Sequence, residues 1–331
     1  MAEIKILTEA ELRAQISLNQ AAIDCVESAF HALATKSVVM PPIMRLDIVE
    51  NNGEIDVKTA YIPGLDSLAI KISPGFFDNP KLGLPSVNGL MVLFSTKTGL
   101  VESLLLDNGF LTDIRTAAAG AVAAKYLSRA NAKHAAIIGA GVQGCLQLEA
   151  LTLVRDIESA TIWARDFDKA EKAAEQMKSK LGFEVIPCQT IAETVEDADI
   201  IVTTTPSTKP LLNKENIKPG QHITAMGSDS EHKNEIDPAI LADERVNYFC
   251  DRLSQTRVLG ELQMAIEQGL IEASAEFPEL GQVIAGQQPA RQNETEITLC
   301  DLTGTGIQDT AIATLAYQLC LQNKAGTNFE N

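Results

Sequence analysis

The spacing of apolar positions divides the chain into two regimes. In the first, helical periodicity over 9–15 and again over 17–35, with Ala22, Val26, Phe30 and Leu33 on one stripe, gives way to strand-like runs. These runs, at 38–48, 55–62, 68–73, 90–95 and 101–106, are punctuated by Asn51-Asn52-Gly53, Pro63-Gly64, Pro74-Gly75 and Asn88-Gly89. Such punctuation predicts an antiparallel, hairpin-rich sheet. An alanine-rich helix over 112–128, capped by Thr112 or Asp113, then leads out of this regime. From His134 onward the pattern alternates. Strands are expected at 135–138, 160–163, 183–187, 200–204, 223–226, 247–250 and 296–299, with helices at 142–154, 167–181, 190–197 and 307–322. That alternation predicts a doubly wound α/β lobe. The predicted division is 1–130 as an α+β lobe, to which 307–331 returns, and 131–306 as the doubly wound lobe.

The richest stretch lies where the two regimes meet. Ala135, Ala136, Ile137 and Ile138 read as a short buried strand, and Gly139, Gly141 and Gly144 then fill G-x-G-x-x-G as a helix opens. In that setting one glycine allows the tight turn, one lets backbone approach a pyrophosphate, and one brings helix and strand together. The helix N-terminus directs free N–H groups and positive dipole at the phosphates. Gly139, Ala140, Gly141, Val142 and Gln143 are therefore candidate cofactor contacts, joined by Thr204, Met226 and Gly227 at the ends of later strands.

The second strand of this unit ends Ile162-Trp163-Ala164-Arg165-Asp166. An NAD enzyme usually carries an acidic residue at that end to hold the ribose hydroxyls. Here the slot is alanine, the carboxylate is displaced to Asp166, and Arg165 is available for a 2′-phosphate. This points to NADP(H) rather than NAD(H).

Composition removes several classes of partner. The net charge of −17 opposes nucleic acid and anionic membrane, and no apolar run approaches a membrane span. With no leader pattern, the expectation is a cytoplasmic protein. Six scattered cysteines and four dispersed histidines show no metal-ligand spacing, so no metal is expected. Cys145, just after the last fingerprint glycine, reads as a helix-packing residue.

Chemistry on an amino or imino acid needs guanidinium groups for the carboxylate and a proton donor or acceptor. Four residues suit it: Arg45 after Met40-Pro41-Pro42, Lys71 within the apolar Leu68–Ser73 run, Arg115 early in the alanine-rich helix, and Asp229 at a strand end. A cation in the first turn opposes the helix dipole, and a lysine between apolar neighbours is costly to bury unless used. Lys58 and Lys233 read instead as solvated, and Asp56 as an exposed strand carboxylate.

The segments PPIMR, AIKIS, TDIRTAAAGAVAAKYL, IIGAGVQG, MGSDSEHKNEID and DLTGTGIQDTAIATLA together resemble the ornithine cyclodeaminase/mu-crystallin family over essentially the whole chain. The block KTAYIPGLDSLAIKISPGFFDNPKLGLPS is similar to a subgroup named for ectoine utilisation. The resemblance implies a dinucleotide-binding Rossmann domain over 131–306 and a substrate-binding and dimerisation lobe over 1–130 with 307–331, in a homodimer acting on a small amino or imino acid. It also implies that Arg45 and Arg115 bind the substrate carboxylate, that Lys71 binds and protonates, and that Asp229 acts as acid/base or orients the amine. Three activities fit: NAD(P)H-dependent imino acid reduction, which is favoured; cyclodeamination of a diamino acid with release of ammonia; and noncatalytic NADP-dependent binding of crystallin type.

Overall fold

The structure, a computed structural model, describes residues 3–330. The described residues divide into two compact units, one formed by those up to 115 with those from 305 on and the other by 116–304.

The first unit is built on a seven-stranded sheet. Its strands are β1 (Glu3–Thr8), β2 (Met44–Ile48), β3 (Gly53–Ala60), β4 (Ser67–Phe76), β5 (Leu90–Ser95) and β6 (Val101–Leu106), closed by a last strand at Thr327–Glu330. From β2 to β6 each strand pairs antiparallel with the next, as the turn-punctuated pattern predicts. Beyond β6 the sheet continues through β1, which pairs parallel with β6 and antiparallel with Thr327–Glu330. Helices α1 (Glu9–Gln15) and α2 (Gln20–Thr35) follow β1. The first is closed by a Thr8–Glu11 capping box and the second by Asn19, whose side chain accepts the Ala22 N–H.

The last helix, Gly306–Gln322, packs on β3, β4 and α2. It is buried nearly all round, and its polar residues have specific partners. Thr310 donates to the Ala60 carbonyl and accepts from the Ala69 N–H, which fixes the helix against β3 and β4. Its first residue has to be glycine: a Cβ on Gly306 would lie 2.3 Å from the Thr59 carbonyl oxygen.

Helix α3 (Phe110–Leu127) begins two residues earlier than the sequence predicts. Asp107 accepts the Leu111 N–H at 2.9 Å, and Asn108 and Gly109 both adopt positive φ, so the turn starts the helix at Phe110. Arg115 consequently sits in the second turn rather than the first. The dipole argument for its presence weakens, and its partners have to supply the reason instead.

The second unit is the expected doubly wound fold, with a Rossmann-type parallel sheet. Its strands are β7 (His134–Ile138), β8 (Ser159–Trp163), β9 (Glu184–Cys188), β10 (Ile200–Thr203), β11 (His222–Ala225), β12 (Val246–Cys250) and β13 (Ile297–Asp301). They lie in the order β12-β13-β11-β10-β7-β8-β9, all parallel. Strands such as Ile200–Thr203 and His222–Ala225 are buried along their whole length, which is why they read as continuous rather than alternating runs. Helices α4 (Val142–Leu151) and α5 (Phe167–Leu181) supply Leu148, Leu151, Ala170, Ala173 and Met177 to one of the packed layers. No helix among the described residues is long and apolar enough to cross a membrane.

Candidate active site

The switch in strand order between β7 and β10 places the glycine turn where open α/β sheets bind ligands. Gly139 has φ +123°, and a Cβ there would lie 2.5 Å from the Thr204 hydroxyl. Gly144 is packed harder still, since its Cβ would come within 1.8 Å of the Gly139 carbonyl oxygen. At Gly141, by contrast, a side chain would meet nothing within 4 Å. Gly141 is also the N-cap of α4 and makes no side-chain cap, so the positive end of that helix is presented at this turn. Two glycines enforced by close approach and one facing open space suit a dinucleotide pyrophosphate. The group that fits this turn supplies hydride chemistry when bound. Cys145, just inside the helix, is half-buried, and burial raises its thiol pKa, in keeping with a packing role.

After β8, Arg165 and Asp166 are both exposed, and Asp166 opens α5 without capping it. Thr204, Met226 and Gly227 follow the ends of β10 and β11 in the same unit, where the Thr204 N–H donates to the Ile138 carbonyl. These ends are tied together by a carboxylate that sequence reasoning missed. Fully buried Glu235 accepts from the Thr203 hydroxyl, from the Thr205 N–H and hydroxyl, and from the Gly227 N–H. Burial and then the charge of neighbouring Glu261 push Glu235 up to about 7, against the bonds from Thr203 and Thr205. Glu261 in turn accepts from Ser228, Asn234 and the Glu235 and Ile236 N–H groups. Asp229 lies on this braced loop, half exposed and ion-paired with Lys233 at 2.6 Å. That pairing leaves Lys233 only partly solvated, so its side chain is not the free surface group expected.

The first unit gathers charge around Lys71. In the β3–β4 register Lys58 stands opposite Lys71, while Asp56 stands opposite both Arg45 and Ser73 one row further along. Because Asp56 and Lys58 are two residues apart on one strand, both rows share a face of the sheet. Lys71 is 2% exposed, and its ammonium lies 3.1 Å from Asp309. The same carboxylate accepts from Arg115 Nε at 3.0 Å, and Arg115 Nη1 donates to Gln308 Oε1, also at 3.0 Å. Burial pushes Lys71 down to about 7; Asp309 opposes the shift, and Arg115 and Lys58 add to it. Burial acts to raise Asp309, but Lys71, Arg115 and Lys58 outweigh it and hold the carboxyl below its usual range. Asp107, buried at the end of β6, completes the surroundings of Lys71, and desolvation pushes it upward.

Lys58 overturns its reading as a solvated strand lysine. It is 7% exposed and belongs to the Lys71 row. The alternation argument failed because the face it assigned to water is covered by the Gly306–Gln322 helix. Arg45 lies on the edge strand β2, paired with Asp47 at 2.9 Å, with Glu54, and with Asp56 at 3.9 Å. Asp56 is not the exposed carboxylate expected: its side chain is 16% exposed, and its Oδ1 is buried with no hydrogen bond among the described residues. Lys71 and Arg115 are thus brought together on Asp309, and Arg45 stands in the adjoining Asp56 row. Gln308 and Asp309 were legible only as part of a glycine-rich helix start. No group of side chains suited to a metal occurs among the described residues.

A parallel sheet with a dinucleotide turn, in one chain with a buried lysine–arginine–carboxylate cluster, defines a Rossmann-type nicotinamide-binding protein. The chain belongs to the ornithine cyclodeaminase/mu-crystallin family, which it matches over residues 2–324. Over the full length of both chains it is 64% identical to a protein of Rhizobium meliloti named as a candidate dehydrogenase, and 59% identical to an uncharacterized cyclodeaminase of Sinorhizobium fredii. Three solved structures share the fold. The Thermococcus litoralis Δ1-pyrroline-2-carboxylate reductase, in complex with NADH and L-proline, has a TM-score of 0.93 at 32% identity, covering 98% of this chain and 100% of that one. An archaeal alanine dehydrogenase dimer with bound NAD scores 0.92 at 34% identity, over 99% of each chain. The iminosuccinate reductase of Paracoccus denitrificans with NAD⁺ scores 0.91 at 31% identity, over 100% of each. These three relatives are oxidoreductases acting on carbon–nitrogen bonds, the enzyme class that the sequence predicts.

Proposed function

We propose that the protein is an NAD(P)H-dependent reductase of a small imino acid. The observation that carries this reading is the buried Lys71, held beside Arg115 and near neutrality in its titration, in a chain that also has a complete dinucleotide turn. A general acid works best with a pKa near the working pH, and a lysine buried among cations reaches it. In this reading Arg115 and Arg45 bind the substrate carboxylate, Lys71 delivers the proton as hydride reaches the imine carbon, and Asp229 acts as acid/base or orients the amine. Gly139, Ala140, Gly141, Val142, Gln143, Thr204, Met226 and Gly227 hold the cofactor, and Arg165 selects NADPH, with Asp166 as the competing ribose ligand. The unit of 116–304 is the dinucleotide-binding part. The relatives named as pyrroline-2-carboxylate and iminosuccinate reductases support the reaction class, and the alanine dehydrogenase dimer supports a homodimer. The similarity of residues 58–86 to the ectoine-utilisation subgroup suggests ectoine degradation as the setting.

Cyclodeamination of a diamino acid is the second reading, favoured by one observation. The buried Oδ1 of Asp56 makes no hydrogen bond among the described residues, its contact with Arg45 being an ion pair at 3.9 Å, and it lies in the row beside Lys58 and Lys71, where it can accept from a distal ammonium. Both readings are tested together by offering purified protein Δ1-pyrroline-2-carboxylate or iminosuccinate with NADPH or NADH, and separately ornithine with NAD⁺. Stoichiometric loss of reduced cofactor with an imino acid supports the reductase. Ammonia release without net cofactor change supports the cyclodeaminase. Tight cofactor binding with neither reaction overturns both in favour of a binding protein.

A further inference from the structure

We propose that Asp309 is a positioning residue that fixes the Lys71 ammonium beside the Arg115 guanidinium. Each of its oxygens serves one cation, Oδ2 for Lys71 at 3.1 Å and Oδ1 for Arg115 Nε at 3.0 Å, and the side chain is fully buried. Two desolvated cations side by side repel, and a carboxylate between them is what allows both to stay charged. The helix that carries Asp309 cannot easily shift. Gly306 abuts the Thr59 carbonyl, Thr310 is bonded to both Ala60 and Ala69, and Gln308 holds Arg115 Nη1.

The charged groups around Lys71 come from every side. Lys58 stands on β3, Arg115 on α3, Asp107 at the end of β6 and Asp309 on the last helix, while Asp56 occupies the next row of β3. Lys58 and Arg115 act to discharge Lys71, and Asp309 opposes them more strongly than either. Asp309 therefore acts through Lys71 and Arg115. Its catalytic consequence rests on the reductase reading: it keeps a fraction of Lys71 protonated at neutral pH and holds Arg115 in the orientation that meets a carboxylate.

The test is a titration of Lys71 in the full-length protein without cofactor or substrate, by NMR of lysine labelled with ¹³C at Cε. The Lys71 signal is identified by its loss in Lys71→Met. A midpoint of about 7 is expected in the wild type. Asp309→Asn should lower it by about 1–3 pH units, the usual effect of one nearby opposite charge. Asp309→Glu should lower it less, and Lys58→Met should raise it. In imino acid reduction the alkaline limb of the pH–rate profile should move in the same directions. Loss of a merely structural contact predicts no such opposite signs. Folded Asp309→Asn with an unchanged midpoint overturns the proposal. If Asp309→Asn does not fold, an unchanged midpoint in Asp309→Glu, or a fall in Lys58→Met, overturns it equally. Wild-type protein that reduces no imino acid refutes the reductase reading, yet the cofactor-free titration still decides the role of Asp309.

Discussion

Two arginines carry the sharpest single-residue consequences. Arg115 gives two charge-assisted bonds to the Gly306–Gln322 helix, which hold the plane of its guanidinium in place. Arg115→Leu should abolish imino acid turnover, costing about 2–5 kcal/mol of transition-state stabilisation, while dinucleotide affinity stays nearly intact. Equal loss of cofactor binding in a titration would put Arg115 on the wrong ligand. Arg165, in contrast, is exposed next to an equally exposed Asp166. If Arg165 meets a 2′-phosphate, Arg165→Ala should weaken NADPH about tenfold, barely change NADH, and flatten the salt dependence of NADPH binding. Wild-type protein that prefers NADH would assign the ribose to Asp166. At this scale the sequence was legible for Lys71 and Arg115, because a lysine in an apolar strand and an arginine in an alanine-rich helix both stand out. Lys58, Gln308, Asp309 and Glu235 were not legible. A charged residue reads the same whether its face meets water or a helix from elsewhere in the chain, and only the packing of Gly306–Gln322 on β3 and β4 decides that.

Among the elements, the ends of β10 and β11 and the loop after them depend on one side chain. Each oxygen of Glu235 accepts a backbone N–H, one from Thr205 and the other from Gly227. Glu235→Gln therefore has no good orientation, since either placement of its NH₂ faces a backbone donor. The substitution should destabilise the protein by about 1–3 kcal/mol, the range for an unsatisfied buried group, and loosen the loop bearing Asp229. A melting temperature equal to that of wild type would show that the loop is held by Glu261 alone. Element identity was largely readable, because helical and alternating periods are backbone geometry written into the chain. What periodicity could not show was how elements begin and which strands finish a sheet. Helix α3 starts early because Asp107 and two positive-φ residues nucleate it. The six-residue β1 and the terminal Thr327–Glu330 strand were missed, the latter because it is exposed throughout and is held by pairing with β1 rather than by apolar character.

For the whole molecule, burying Lys71 links the candidate chemistry to stability. Its pKa is about 7 in the folded protein, against 10.5 ordinarily. Between these values the unfolded chain binds more protons than the folded one, so stability rises as pH increases from about 7 to about 10.5. Glu235 runs the other way at lower pH. Raised to about 7 from 4.5, it binds its proton in the folded state first, so its contribution falls as pH rises through that window and is flat above it. From about pH 7 to about 9 the Lys71 contribution should therefore rise with pH, while above 9 the buried thiols of Cys250 and Cys300, whose pKa burial raises, act against it. Lys71→Met removes the buried ammonium, leaves Arg115 to pair Asp309, and inserts a flexible apolar side chain into an apolar strand. The variant should melt higher than wild type at pH 7, where each kcal/mol is worth about 2–4 °C for a folding unit of about 150–250 residues, and the gap should close as pH approaches 10. Its imino acid turnover should fall mainly in kcat, as expected for a proton donor. A variant that is less stable at pH 7, or one that keeps wild-type turnover, would mean that Lys71 is buried for the fold and not for the chemistry.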